Sequence, residues 1–308
     1  MCSPYVRKLE KREGMYNLGV GVPSRTVFGT IFMFVFILSI LFYTCNADAA
    51  LTSPFEGDVV RAAGRVRLDD RTEEDTGSRV LGGITPHHGI ALDMMVRFYE
   101  RISSDRVKRV WLLSPDHFER AKKYASTSGD DWRTAGRILE ADAVAKSGFS
   151  GMSIVERNSR LFATEHGITI HIPLIARYFP NATIVPMVLK SNTPDIALLI
   201  LKNYMLKAMQ ESDIIILSID LSHYKTPEEM AAEDERSLEV LTNLEPMRTN
   251  SIDIDARRAA SLVLRLFIER GAEKGTVIEH MDTSDILGYR VESGTSYATI
   301  IYKTGVRD

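Results

Sequence analysis

Asp213-Ile214-Ile215-Ile216-Leu217-Ser218-Ile219-Asp220-Leu221-Ser222-His223 is the stretch that decides the fold. Its first seven residues, Asp213 to Ile219, hold a short run of branched apolar side chains, Ile214–Leu217, between Asp213 and Ser218, the pattern of a strand buried on both faces. Strands of this kind sit in mostly parallel sheets covered by helices. The polar cluster that follows, with Asp220, Ser222 and His223, marks where such a strand would deliver chemistry.

Working outward, the same alternation continues. Upstream, Val80–Thr85 reads as a buried strand, Ile90–Ile102 as an amphipathic helix and Val107–Ser114 as a second strand. Tyr124–Ser128 reads as a short strand, Ile138–Lys146 as a helix and Ile168–Tyr178 as helical by its apolar spacing. A strand over Ala182–Leu189, interrupted by Pro186, and a helix over Pro194–Gln210 lead into the opening stretch. Downstream come helices over Pro227–Leu244 and Asp253–Gly271, the latter with Asp253 as N-cap and Gly271 past its last apolar turn. Val277–His280 and Ser296–Tyr302 close the chain as strands. The expected fold is α/β: a single domain with a mostly parallel central sheet flanked by helices.

Ligands of such sheets bind beyond the carboxyl ends of the strands. Six of the seven histidines fall in four segments at strand ends or helix starts. These are Thr85-Pro86-His87-His88-Gly89, Ser114-Pro115-Asp116-His117, Glu165-His166 with His171-Ile172-Pro173, and Asp220-Leu221-Ser222-His223. His87, His117 and His223 each follow a strand by a few residues, so three strands would bring imidazoles to one edge. His88 reads as a solvated neighbour of His87, since adjacent side chains on an extended segment point apart. His171 can equally be a hydrogen-bonded core residue, and His280 reads as structural or exposed.

The remaining composition narrows the chemistry. A net charge of −3 over 308 residues argues against a protein that binds nucleic acid by neutralising phosphates. The 2 cysteines, Cys2 and Cys45, lie far upstream of the histidines, so a metal in the main domain must use imidazole, carboxylate or water. No H-E-x-x-H, G-x-G-x-x-G after a strand, phosphate-binding loop or G-x-S-x-G elbow occurs. Asp220, Ser222 and His223 lie too close in sequence for a hydrolytic triad. Two histidines with one carboxylate, leaving open positions, suit non-haem Fe(II), with Zn²⁺ as main competitor. Asp253 and Asp255 are candidates for the carboxylate; Asp220 and Asp116 read as groups that orient an imidazole.

The N-terminal part reads differently. Residues 1–25 carry Arg7, Lys8, Lys11, Arg12 and Arg25, and 26–45 form an uncharged run long enough to cross a bilayer. Acidic residues follow it. That asymmetry predicts a membrane anchor or a signal segment, with the main domain outside the cytoplasm. A polar linker over 46–78 would join it to the domain at 79–308.

The four histidine segments, in this order and spacing, resemble the Memo-like family, which includes the bacterial AmmeMemoRadiSam system protein B. The resemblance covers Val80 to Tyr302, including Gly294-Thr295-Ser296-Tyr297-Ala298. It implies a fold like that of class III extradiol dioxygenases, which open catechol rings with Fe(II). It further implies His87 and His117 as metal ligands and His223 as the acid/base, with His166, His171 and Asp220 lining the pocket. Animal Memo proteins carry a cysteine ligand where this chain reads Ile254-Asp255-Ala256-Arg257, so Asp255 stands in its place. The resulting expectation is a His87, His117, Asp255 site for Fe(II) or zinc in an oxidoreductase acting on a small phenolic substrate. The alternatives are a non-catalytic module that binds peptides or metabolites, as the animal proteins suggest, and a zinc hydrolase.

Overall fold

The run Asp213–Ser218 forms a strand at the centre of a nine-stranded sheet, every one of its six residues buried. The computed structural model describes residues 50–66, 78–134 and 136–305. In chain order the strands are β1 (Leu51–Thr52), β2 (Val80–Thr85), β3 (Arg109–Pro115), β4 (Ala125–Thr127), β5 (Trp132–Thr134) and β6 (Arg137–Leu139). They continue with β7 (Val155–Arg157), β8 (Thr183–Leu189), β9 (Asp213–Ser218), β10 (His223–Lys225), β11 (Ala272–Asp282) and β12 (Gly294–Thr304). Small strands β1, β5 and β6 form a separate three-stranded sheet.

The main sheet runs β10-β12-β2-β9-β3-β8-β4-β7, with β11 also on β12. Its centre, β2-β9-β3-β8, is parallel, and antiparallel pairings extend both sides of it. Alternation sorts the side chains to two faces. Trp111, Leu113, Ile215 and Leu217 pack with the helices Asp195–Ala208 and Arg257–Glu269. Val110, Leu112, Ile214 and Ile216 pack on the other face with Leu92–Ile102 and His171–Tyr178. Burial on both faces is why the central strands read as unbroken apolar runs.

Gly82 lets β2 fit between its neighbours. Its φ of 130° is closed to ordinary side chains, and an added Cβ would lie 1.8 Å from the Ile215 carbonyl oxygen. Pro186 does not interrupt β8. It pairs in register with Leu112, while β4 on the other side stops at Met187 and the next contact is the Ala141–Ile184 bridge. The missing N–H therefore falls in a gap between pairings.

Several expectations are corrected. The helix expected over Ile138–Lys146 is instead the end of β6 followed by one wide helical turn, Val144–Gly148. The late helix begins at Arg257, not near Asp253, and Ala256 occupies its N-cap. Asp253 does not cap it, because its carboxylate is taken by Lys225 Nζ at 2.8 Å. Residues Glu56–Arg65, read as linker, form a helix that buries Val59 and Ala62.

The expected membrane span or signal at 26–45 lies outside the described residues. Among the described residues no helix is long and apolar enough to cross a membrane. The longest, Pro227–Thr242, has 16 residues and is studded with acidic groups, whereas a span takes about 20 apolar ones. The membrane and signal assignments, and the placement outside the cytoplasm that followed from them, are withdrawn.

Candidate metal centre

Parallel register sets the site. Thr85 of β2 lies beside Ser218 of β9, and Ile219 N–H continues the ladder to the Thr85 carbonyl at 3.1 Å. Two residues beyond each strand end, β2 delivers His87 and β3 delivers His117. Their Nε2 atoms lie 3.0 Å apart. Asp255, from the turn before the helix Arg257–Glu269, places Oδ2 3.1 Å from His87 Nε2 and 3.6 Å from His117 Nε2.

The hydrogen bonds behind the rings fix their tautomers. Ser218 Oγ donates to the Gly167 carbonyl at 2.7 Å, so it must accept from His87 Nδ1–H at 2.9 Å. Glu165 Oε1 lies 2.5 Å from His117 Nδ1 and accepts its proton. Both neutral rings therefore direct Nε2 lone pairs toward one another and toward Asp255. Among the described residues neither Asp255 oxygen has a hydrogen-bond partner, and both are buried. Two lone pairs and an unpartnered carboxylate repel one another unless a cation lies among them.

The titration behaviour carries the same sign. Burial lowers the His117 pKa, but Asp255 and Glu165 outweigh it and raise it to about 9. His87 is likewise raised, burial being overcome by Asp220 and Asp255. Burial would raise the Asp255 carboxyl, yet the two imidazoles hold it below the usual carboxylate range. The pocket takes a positive charge, which can be a proton or a metal ion. For ligand bonds of about 2.1 Å the expected donor separations are roughly 3.0–3.4 Å; two of the three separations, 3.0 and 3.1 Å, fall in that range and the third, 3.6 Å, lies just beyond it. The residues fit a transition metal.

The other expected residues fall at different depths. Asp220 Oδ1 accepts from His87 N–H at 3.1 Å and its Oδ2 lies 3.6 Å from His87 Nε2. His223 Nε2 is 4.0 Å from that same oxygen. His166 stands against both rings, its centroid 4.0 Å from that of His117 and 5.1 Å from that of His87. His171 is fully buried with Nδ1 3.0 Å from Tyr99 Oη, a core histidine behind the site. Asp116 braces the turn after β3 by accepting from Arg120 N–H and Ala121 N–H. His88 is exposed, while His280 Nε2 pairs at 2.8 Å with buried Asp234, which also accepts from Ser222 Oγ at 2.8 Å. That order, with the carboxylate between serine and histidine, is not a nucleophile's.

Glu165, Ser218 and Gly167 are the site residues that sequence reasoning missed. An added Cβ at Gly167 would lie 2.1 Å from Ser114 Oγ and 3.2 Å from His117 Cε1, so glycine allows the approach. Glu165 stood inside a quoted motif, and its place beside two histidines was the available signal. A cavity of about 490 Å³ opens from His117 and Asp255 toward Lys190, Arg257 and Arg258.

An α/β domain with a histidine–carboxylate cluster beyond its parallel strands is the class defined so far. Residues 66–301 match the family described as Memo-like protein, and the chain belongs to that family. It is similar to a MEMO1 family protein of Ignicoccus hospitalis, 22% identical over 221 residues, covering 68% of this chain and 78% of the relative. A MEMO1 family protein of Methanosarcina acetivorans is 24% identical over 268 residues, covering 83% and 92%. The solved structure of an uncharacterized protein from Escherichia coli K12 covers 74% of this chain and 100% of its own, with a TM-score of 0.44 and 10% identity. The fold is α/β, a large central sheet flanked by helices, as expected from the sequence.

Proposed function

We propose that this chain is a metal-dependent oxidoreductase in which His87, His117 and Asp255 hold Fe(II) and the substrate is a small phenolic compound. One observation carries the reading: two imidazole lone pairs converge on a buried carboxylate that has no hydrogen-bond partner among the described residues. When bound, the ion supplies Lewis acidity and redox chemistry with oxygen, and this donor set suits non-haem iron ahead of zinc.

The chain's own residues do the rest. Ser218 and Glu165 hold the two imidazoles in the tautomer that binds metal. His223, half-buried beside Asp220, takes the proton of a substrate hydroxyl at Nε2 and returns it to product. Asp220 Oδ2, 4.0 Å away, stabilises the imidazolium that forms. The cavity beside His117 and Asp255 receives the substrate's ring.

The test is expression without added metal, reconstitution with Fe(II) or zinc, and turnover of catechol-like compounds under oxygen. Iron is expected to bind, His87→Ala to abolish binding, and His223→Ala to keep the metal while losing turnover. Absence of transition-metal binding, or unchanged binding in His87→Ala, overturns the site. Zinc binding without turnover replaces the oxidoreductase with a binding module or a hydrolase.

A further inference from the structure

His166 is placed in a way that its role as a pocket residue does not explain. Its ring lies 4.0 Å from that of His117 and 5.1 Å from that of His87, centroid to centroid. One of its nitrogens lies within 4.8 Å of a ring nitrogen of each of those histidines. Its imidazole makes no hydrogen bond to the described residues: Nδ1 is 3.6 Å from Glu165 Oε1, an oxygen already taken by His117 Nδ1 and Gly167 N–H. A third ring whose tautomer no hydrogen bond fixes is free to turn a lone pair toward the point where the two fixed lone pairs meet, and one cation there would join all three.

We propose that His166 is a further ligand of the metal held by His87, His117 and Asp255, so that the donor set is three imidazole nitrogens and one carboxylate. The inference rests on the metal-centre reading above and adds one donor to it. Three nitrogens move the preference toward zinc, copper or iron and away from magnesium or calcium. His166 also differs from the other donors in support. Its side chain is 39% exposed, against 2% for His87 and 18% for His117, and no hydrogen bond braces it from behind. It is therefore the most exposed and least braced of the four donors.

Electron paramagnetic resonance of the purified full-length chain loaded with Cu(II) reads the number of coupled nitrogens directly. Three are expected in the unmodified protein and two in His166→Ala, with Cu(II) and Zn(II) affinity lower by about tenfold or more. His166→Gln should match His166→Ala, whereas exposed His88→Ala should keep three nitrogens and full affinity. Two nitrogens in the unmodified protein, unchanged in His166→Ala, overturn the proposal while leaving the His87, His117, Asp255 site standing. No Cu(II) or Zn(II) binding at all overturns the metal reading itself. The nitrogen count of the unmodified protein decides even if both His166 variants fail to fold.

Discussion

Two buried aspartates at opposite ends of the parallel strands show what separates a structural charge from a working one. At the amino end, Asp213 Oδ2 receives Trp111 Nε1–H at 2.9 Å, Gln210 N–H at 3.2 Å and Arg109 Nη1 at 3.4 Å. Arg109 in turn meets Asp142 at 3.1 Å. At the carboxyl end, Asp255 has no hydrogen-bond donor among the described residues on either oxygen and faces the two imidazole Nε2 atoms. The first charge is matched on Oδ2 by three donors the chain itself supplies, although Oδ1 has no hydrogen-bond partner among the described residues. The second is left for something from outside.

The largest expected effect follows from exchanging the two. Asp255→Asn should cut transition-metal affinity by at least about 100-fold, more than removal of a supporting hydrogen bond costs, and abolish any metal-dependent rise in melting temperature. Asp213→Ala should leave metal affinity unchanged but destabilise the fold by about 1–3 kcal/mol, because Trp111 Nε1–H and Gln210 N–H lose their acceptor while Arg109 keeps Asp142. Isothermal titration and urea unfolding separate the outcomes. Equal metal loss in both variants would dissolve the distinction.

Next in size is Gly167→Ala. The new Cβ meets Ser114 Oγ and His117 Cε1, so the short helix must retreat from β3 and carry Glu165 with it. Overpacking costs about 1–3 kcal/mol, and metal affinity should fall about tenfold or more as His117 loses its brace. A drop in stability with intact metal affinity would show that the site tolerates displacement.

Proton competition gives a third handle. His117 is raised to about 9, so a proton occupies the metal's place below that pH and must leave on binding. Metal affinity should therefore climb as pH rises from about 6.5 to 9 and level off above. The apo protein should do the reverse. A raised pKa contributes stability fully present below the unfolded value of about 6.5 and lost as pH approaches 9, so its melting temperature should fall across that window. A melting temperature that falls for the apo protein and stays flat for the metal-saturated protein is the signature to look for; parallel slopes would place the titration elsewhere.

How much of this was legible in the sequence depended on which force set each feature. Burial on both faces wrote β2, β3 and β9 as apolar runs, and the polar residues just past them marked the edge where His87 and His117 meet. Asp255 rather than Asp253 was legible through a family resemblance, and the structure shows why the neighbour differs: Lys225, distant in sequence, draws Asp253 away. The tautomers were not legible, because Ser218 and Gly167 act through contacts between separate strands and a helix. Pro186 misled for the same reason. Local propensity reads it as a break, while the gap between neighbouring strands that accommodates it exists in three dimensions alone.

The smallest expected effect lies beneath His223. Ser222 Oγ donates to Asp234, which is buried and also paired with His280, and Ser222 N–H and carbonyl are tied to Ser296. These bonds hold the segment that carries Asp220 on one side and His223 on the other. Ser222→Ala removes one of them and leaves Asp234 with His280, at a cost of about 1 kcal/mol. Metal affinity should stay within error, since no donor to the metal moves. Turnover of a substrate, where found, should fall through kcat with its pH profile altered, because the imidazole that handles the proton loses part of its support. A loss of metal affinity in Ser222→Ala would instead mean that the metal donors and His223 form one rigid unit. The contrast between the self-matched charge and the open one would then run through the whole carboxyl edge and not through Asp255 alone.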